Sequence, residues 1–333
     1  NLYIVPEDIK DFSETIDGLA KLVGMAREEI MERLKASSHL PSSFPVKIKT
    51  DISKDDVAKI ESNKIFLPGI STQIEPRRFY PHGKVLAHTL GYVSEINDEE
   101  LKKKENKEKY TQGDFIGKYG LERMYEGFLR GIDGERRVEV DATGREIRTL
   151  ETKETTPVHN LYLNIDLDTQ LVAEKALENK KGGAIAVEPK NGAVLALVSR
   201  PAFDPNRFSS SITKEEWKEL ITDKTHPLQN RVTQGRFPPG STFKIVPALK
   251  GLEDNLIHEN TSFSCRGGMP FGGRVFRCWR KEGHGAVAVH RGIVESCDVY
   301  FYNLGLKLGV DRIHAMATAI GLGKATGIDL PGE

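Results

Sequence analysis

Ser241 and Lys244 stand three residues apart in the run Phe237-Pro-Pro-Gly-Ser-Thr-Phe-Lys244. A serine hydroxyl is a poor nucleophile at neutral pH until another group takes its proton. A lysine one helical turn along the same face is within reach to do so. Gly240 permits a tight turn into a helix, and Pro238-Pro239 stop any helix from running in from upstream. Ser241 then sits at a helix N-terminus, where free N–H groups and the macrodipole favour developing negative charge. The chemistry implied is acyl transfer through a serine ester.

The chain supplies its own control. Ser211 and Lys214 share the Ser-x-x-Lys spacing but open the polar stretch Thr213-Lys-Glu-Glu-Trp-Lys-Glu-Leu220. There Ser211 or Thr213 reads as a helix N-cap and Lys214 as solvated surface. A lysine that acts as a base must be partly desolvated. Lys244 has apolar neighbours in Phe237, Phe243, Ile245 and Val246; Lys214 does not.

A second cluster follows at Ser296-Cys297-Asp298. In an extended turn, residues i and i+2 face one way and i+1 the other. Ser296 and Asp298 then look into one cleft with Cys297 turned away. Ser296 relays a proton between Lys244 and a leaving group, and Asp298 holds Lys244 or the substrate backbone. Taken alone, Ser296 or Asp298 also reads as an ordinary N-cap.

Together these motifs resemble the penicillin-binding proteins, for which Ser-x-x-Lys and Ser-x-Asp/Asn are a signature. Finer resemblance is to the class B transpeptidases of the penicillin-binding protein 2 type, which serve cell elongation. Arg78-Phe-Tyr-Pro-His-Gly83, Gly91-Tyr-Val-Ser94, Gly117-Lys-Tyr-Gly-Leu-Glu122 with Tyr125-Glu126, Gln234-Gly235 and Gly327-Ile-Asp-Leu-Pro-Gly-Glu333 also look like that group. The resemblance implies D,D-transpeptidation of peptidoglycan stem peptides ending in D-Ala-D-Ala, with Ser241, Lys244, Ser296 and Asp298 catalytic and no cofactor for the chemistry. It implies acylation by β-lactam antibiotics, and partners that include a membrane glycosyltransferase and other elongation proteins. The implied location is the bacterial inner membrane, with a single-pass anchor outside this chain and the domains in the periplasm. A serine β-lactamase or β-lactam sensor shares the motifs, though a free β-lactamase lacks so large an N-terminal half; a non-catalytic scaffold of the elongation complex is the other alternative. The third family motif, Lys-Thr-Gly or Lys-Ser-Gly on a strand, does not occur in these 333 residues. That strand supplies an oxyanion-hole donor, and losing one such donor costs roughly 10²–10³ in rate. The polypeptide as it stands is therefore expected to be a C-terminally truncated fragment, inactive or nearly so.

Positioning these residues requires two domains, the prior for 333 residues. The 48 basic and 48 acidic residues cancel, so charge gives no reason to expect nucleic-acid binding. No apolar run approaches the roughly 18 residues of a membrane span. A boundary is expected near residue 155. Residues 1–155 are charged and turn-rich: two amphipathic helices between Glu7 and Leu40, strands at 46–50 and 73–79, a solvated charge run at 99–109, and a hairpin about Asp141-Ala-Thr-Gly144. By resemblance this half is the pedestal, or dimerisation, domain. Residues 156–333 are expected to form the N-terminal part of an α+β transpeptidase domain. Its elements are a strand at 161–165, a helix capped by Asp168, and a hairpin of 183–188 and 192–198 covered on both faces. A nucleophile helix from Ser241, strained by Pro247, and helices at 287–296 and 299–308 follow.

The cysteines pose a separate question. Cys265, Cys278 and Cys297, with His284, follow Cys-x12-Cys-x5-His-x12-Cys and lack a tight Cys-x2-Cys knuckle. A Cys3His zinc site, a Cys265–Cys278 disulfide with Cys297 free, and three inert buried thiols all fit this spacing; His290 is an alternative ligand to His284. Some members of the resembled group carry metal ligands in this region, which favours structural zinc on Cys265, Cys278, His284 and Cys297.

Overall fold

The computed structural model describes residues 1–333 apart from 38–40, 76, 104–109, 111–112, 133, 141–145, 155–158, 210–211 and 333. It is a mixed α+β structure that divides into two compact units, 1–234 with 329–332, and 235–328. No helix among the described residues is long and apolar enough to cross a membrane.

The first unit opens with β1 (Leu2–Ile4), α1 (Phe12–Val23), α2 (Arg27–Ala36), β2 (Val46–Lys49), α3 (Lys54–Ser62) and β3 (Ile70–Thr72). The strands form an antiparallel sheet ordered β2-β1-β3. Its core joins Leu2, Ile4, Val46, Ile48 and Ile70 to Ile16, Leu19, Ile30 and Ile60 of the helices. The first helix begins at Asp11, whose carboxylate accepts the Glu14 amide at 2.9 Å, and ends at Gly24 with φ 59°. The Pro6-Glu-Asp sequence forms a separate 3₁₀ turn rather than the opening of that helix. No strand forms among the described residues of 73–79: β3 ends at Thr72, opposite Leu2, and the pairing goes no further than Gln73 with Asn1. A strand exists only where a neighbour takes its hydrogen bonds.

Next come α4 (Ala87–Leu90), β4 (Tyr92–Glu95), α5 (Asp98–Leu101), β5 (Phe115–Tyr119), α6 (Gly120–Met124), α7 (Glu126–Leu129), and the hairpin β6 (Glu135–Val140) and β7 (Glu146–Lys153). The turn of that hairpin and most of the charge run after Leu101 lie outside the described residues. β4 pairs antiparallel with β5. Buried Glu122 takes Arg78 Nε at 2.7 Å and the Tyr80 hydroxyl at 3.1 Å, fixing the Arg78–Tyr80 segment on α6. Glu126 accepts the Gly117 amide at 2.7 Å and the Tyr110 hydroxyl at 2.8 Å.

His88 on α4 is 3 % exposed and bonds through Nε2 to the Pro227 carbonyl at 2.8 Å. Burial, reinforced by the charges of Arg231 and Arg200, lowers its pKa from 6.5 to about 4 despite that bond. The unfolded chain therefore binds a proton between those values that the folded chain refuses. The stability contributed by neutral His88 is complete above pH 6.5 and is lost as pH falls toward 4, by about 3 kcal/mol at the limit. Thermal melts across that window should show this acid slope, and His88→Gln should flatten it.

The rest of the unit holds α8 (Leu167–Ala176), β8 (Gly182–Val187), β9 (Val194–Arg200), α9 (Asn206–Ser209) and α10 (Lys214–Thr222). No strand forms at 161–165; that segment has no ladder partner, and Tyr162 is exposed. The cap of α8 is Asp166, not Asp168, because a cap must precede the accepted amide by three residues, here Thr169 at 2.8 Å. The hairpin of β8 and β9 is present, but Ile185 and Val187 on one face of β8 are exposed. Gln170 of α8 closes the outer edge of β9, exchanging hydrogen bonds with the backbone N–H and C=O of Leu197. Thr213 caps α10 in a reciprocal box with Glu216, as the bland reading of the control motif requires.

The second unit runs from a 3₁₀ helix at Gly240–Lys244 into α11 (Ile245–Glu253). There follow β10 (Phe263–Cys265), β11 (Gly268–Phe271), β12 (Arg274–Arg277), β13 (Gly285–Val287), α12 (Val289–Val294), α13 (Asp298–Leu308) and α14 (Val310–Ala319). β10 pairs with β13, and β11 with β12. Pro247 is the third residue of α11, and the helical run changes from 3₁₀ to α turns two residues before it, where the missing N–H falls. The core gathers Ala248, Ile257, Val287, Val299, Tyr300 and Leu304 with all three cysteines.

Candidate active site

Gly240, with φ 58°, starts the 3₁₀ helix that carries both Ser241 and Lys244. In this tighter helix residues i and i+3 lie over one another. Ser241 is exposed, whereas the Lys244 side chain is only 14 % exposed. Across from them, Ser296 has φ 51° and Cys297 is the N-cap of α13. That left-handed turn sends Cys297 into the core while Ser296 and Asp298 face Lys244. The predicted opposition of 296 and 298 to 297 is what the geometry gives.

A continuous chain of polar contacts results. Ser296 Oγ donates to Ser241 Oγ at 2.8 Å. Lys244 Nζ donates to Ser296 Oγ at 3.1 Å, to the Ser296 carbonyl at 2.8 Å and to Asp298 Oδ1 at 2.6 Å. Ser296 thus lies between nucleophile and amine. Asp298 Oδ2 accepts the Trp279 amide at 3.0 Å. An exposed hydroxyl, a shielded amine and a hydroxyl joining them can move a proton off Ser241 as it attacks a carbonyl.

The apolar wall beside Lys244 differs from the one expected. Phe237 and Ile245 are more than half exposed. The wall is Phe301, with its ring centre 5.7 Å from Nζ. Phe301 lies one helical turn after Asp298, so the i, i+3 rule was the available signal. Trp279 and Glu295 were also missed. The Trp279 indole donates to the Glu295 carbonyl at 2.9 Å, tying the loop after β12 to the residue before Ser296.

Cys265, Cys278, His284 and Cys297 converge, with their ligand atoms all within 4.8 Å of one another. All four are buried and no disulfide is present. His284 Nδ1 lies 3.5 Å from both Cys265 Sγ and Cys278 Sγ. The corresponding edge of a tetrahedral zinc site is about 3.5 Å, from Zn–S of about 2.3 Å and Zn–N of about 2.0 Å. Burial opposes ionisation of both Cys265 and Cys297. Hydrogen bonds from the Gly267 amide and His284 outweigh it at Cys265, bringing that thiol down to about 7; Cys297 is pushed up to about 12. His290 is exposed on α12, away from the cluster. The donor set fits a tetrahedral thiophilic cation.

Residues 1–163 match the penicillin-binding protein dimerisation domain, and residues 182–333 the penicillin-binding protein transpeptidase domain. The chain is 36 % identical over 328 residues to the peptidoglycan D,D-transpeptidase MrdA of Acinetobacter baumannii, covering 98 % of this chain and 49 % of that protein. MrdA of Escherichia coli K12 is also 36 % identical, over 99 % of this chain and 53 % of its own length. The chain thus spans about half the length of these relatives. Among solved structures, PBP2 of Helicobacter pylori in complex with MreC matches with a TM-score of 0.85 at 30 % identity, covering all of this chain and 62 % of that one. PBP2 of Pseudomonas aeruginosa in complex with WCK 5153 matches with a TM-score of 0.68 at 35 % identity, over 79 % of this chain and 54 % of that one. With both domain patterns matched in order, the chain belongs to the penicillin-binding proteins that join a dimerisation domain to a transpeptidase domain.

Proposed function

We propose that the protein containing this chain cross-links peptidoglycan stem peptides as a D,D-transpeptidase, through an ester on Ser241. The observation that carries the reading is the unbroken chain Ser241–Ser296–Lys244–Asp298. Ser241 Oγ attacks the carbonyl carbon of the penultimate D-Ala. Its proton passes through Ser296 to the Lys244 amine, and Asp298 stabilises the ammonium formed. The Ser241 amide at the helix start donates to the oxyanion, together with a second donor from outside residues 1–333. The proton returns through Ser296 to the departing D-Ala amine as the C–N bond breaks. An amine of a neighbouring stem peptide then attacks the ester and frees Ser241. β-Lactams acylate Ser241 in place of D-Ala-D-Ala. In this reading residues from about 156 onward carry the chemistry, while residues 1–155 are a pedestal on the outer face of the inner membrane. Elongation-complex proteins dock on the pedestal, a MreC-type protein and a membrane glycosyltransferase among them. Fluorescent penicillin tests the reading on the full-length protein: a long-lived adduct supports it, whereas rapid turnover identifies a β-lactamase.

The cysteine cluster is proposed to hold structural zinc. Four protein ligands leave no position for a reactive water, so the ion would clamp the 265–284 loops to the segment bearing Ser296 and Asp298. Elemental analysis should return one zinc per chain. Chelation should slow penicillin acylation by tenfold or more, in line with the losses seen when metal surroundings are perturbed, with Ser241 chemically intact. Purified protein without stoichiometric zinc and with three freely reactive thiols would refute the site.

A further inference from the structure

Two buried polar atoms beside the cysteine cluster, His284 Nε2 and Glu295 Oε2, have no hydrogen-bond partner among the described residues. They face each other at 3.9 Å, and the His284 side chain is fully buried. Because Nδ1 is turned toward the sulfurs of Cys265 and Cys278, the proton of a neutral His284 belongs on Nε2. A buried imidazole N–H needs an acceptor, and Glu295 Oε2 is the one in front of it. Carboxylates in this position orient metal-ligating histidines and raise their basicity.

The remainder of Glu295 is clamped. Oε1 takes Arg291 Nε at 2.7 Å, the Glu295 amide donates to the Arg291 carbonyl at 2.9 Å, and the Glu295 carbonyl takes the Trp279 indole at 2.9 Å. The next residue is Ser296, whose φ of 51° is unusual for a residue with a side chain. Such a conformation persists only where its surroundings over-determine it.

We propose that Glu295 is a positioning residue that couples the cysteine–histidine cluster to the catalytic turn. Its carboxylate accepts the His284 Nε2 proton and so presents Nδ1 to the cysteines. Its fixed backbone holds Ser296 in the left-handed turn that aims Oγ at Ser241 and the carbonyl at Lys244. The first role rests on the zinc reading and the second on the transpeptidase reading.

The test uses the full-length protein with Glu295→Met, which removes the acceptor but keeps the shape, and Glu295→Gln, whose amide oxygen still accepts. Three readouts are compared: zinc affinity by chelator competition, the ¹⁵N shifts of His284, and the penicillin acylation rate. Glu295→Met should weaken zinc binding 10- to 100-fold, mix the His284 tautomers and slow acylation at unchanged Ser241. Glu295→Gln should restore most of each. Zinc affinity and His284 shifts that match wild type in Glu295→Met overturn the proposal. Wild-type protein without zinc sinks the metal reading alone, since the His284 shifts still decide whether Glu295 fixes the tautomer. Wild-type protein that takes no penicillin sinks the transpeptidase reading alone, since zinc affinity and the shifts still decide this one. Should Glu295→Met not fold, the same comparison is made with Glu295→Asp, which withdraws the carboxylate and should show the same losses.

Discussion

Ser241→Ala should abolish covalent labelling by fluorescent penicillin in the full-length protein, and Lys244→Met should slow it on the order of 10⁴–10⁶-fold. Loss of a serine nucleophile or its base costs about 10⁶ in a comparable serine hydrolase. Lys244 makes three contacts at 3.1 Å or less with Ser296 and Asp298, so the methionine variant loses both proton acceptor and the tie across the cleft. Ser296→Ala should fall between these and wild type, about 10²–10⁴-fold slow, the range for a positioned proton-transfer group. Burst kinetics at saturating drug separate these values. If Ser296→Ala labels at the wild-type rate, the proton travels directly from Ser241 to Lys244 and the relay is wrong.

Gly91→Ala should prevent the first unit from folding. At Gly91 the backbone has φ 78° and ψ −150°, a region only glycine occupies at low cost. A Cβ there would lie 1.8 Å from the Tyr119 carbonyl oxygen and 2.8 Å from the Gly120 amide. Both obstacles are backbone of the β5–α6 junction, which cannot swing aside as a side chain would. Gly120 answers it with φ 60°, and a Cβ added there would lie only 2.6 Å from the Thr89 carbonyl oxygen. Strain and overlap together put the cost at roughly 5 kcal/mol or more, in the range tied to a named backbone clash. Insoluble protein, or a melting temperature lowered by more than about 10 °C, is the expected result. Gly127→Ala is the control: it lies on α7 with nothing within 4 Å of the added carbon, and should be neutral. A soluble Gly91→Ala protein with wild-type melting would show that the two glycine turns do not interlock.

Local rules carried the reading of the sequence furthest where chemistry and backbone agreed. Ser241 and Lys244 are three apart on one short helix, and Ser296 and Asp298 are two apart across a turn, so spacing alone fixed their common direction. The segments Gly91–Ser94 and Gly117–Glu122 resembled the family as separate fragments. Their partnership as β4 and β5 was not legible, because strand pairing is decided by a distant segment. The same physics removed the strands expected at 73–79 and 161–165: the alternation over 161–165 was sound, but no neighbouring segment took its hydrogen bonds. Phe301 and Trp279 reach the site through helix phase and a loop held by Cys278, and only the fold supplies those contacts. The cysteine–histidine convergence was open on spacing, with three arrangements possible. Cys265 and His284 meet because β10 and β13 pair Cys265 opposite Gly285.

Asp298 is approached from both sides by donors: Lys244 Nζ on Oδ1 and the peptide N–H of Trp279 on Oδ2. An asparagine has a single oxygen to offer and would present its amino group to one of the two. The pair of demands selects a carboxylate here, in a motif whose third position can be aspartate or asparagine. The choice between the two side chains is thus set outside the cleft, by a tryptophan whose own ring makes no part of the proton path.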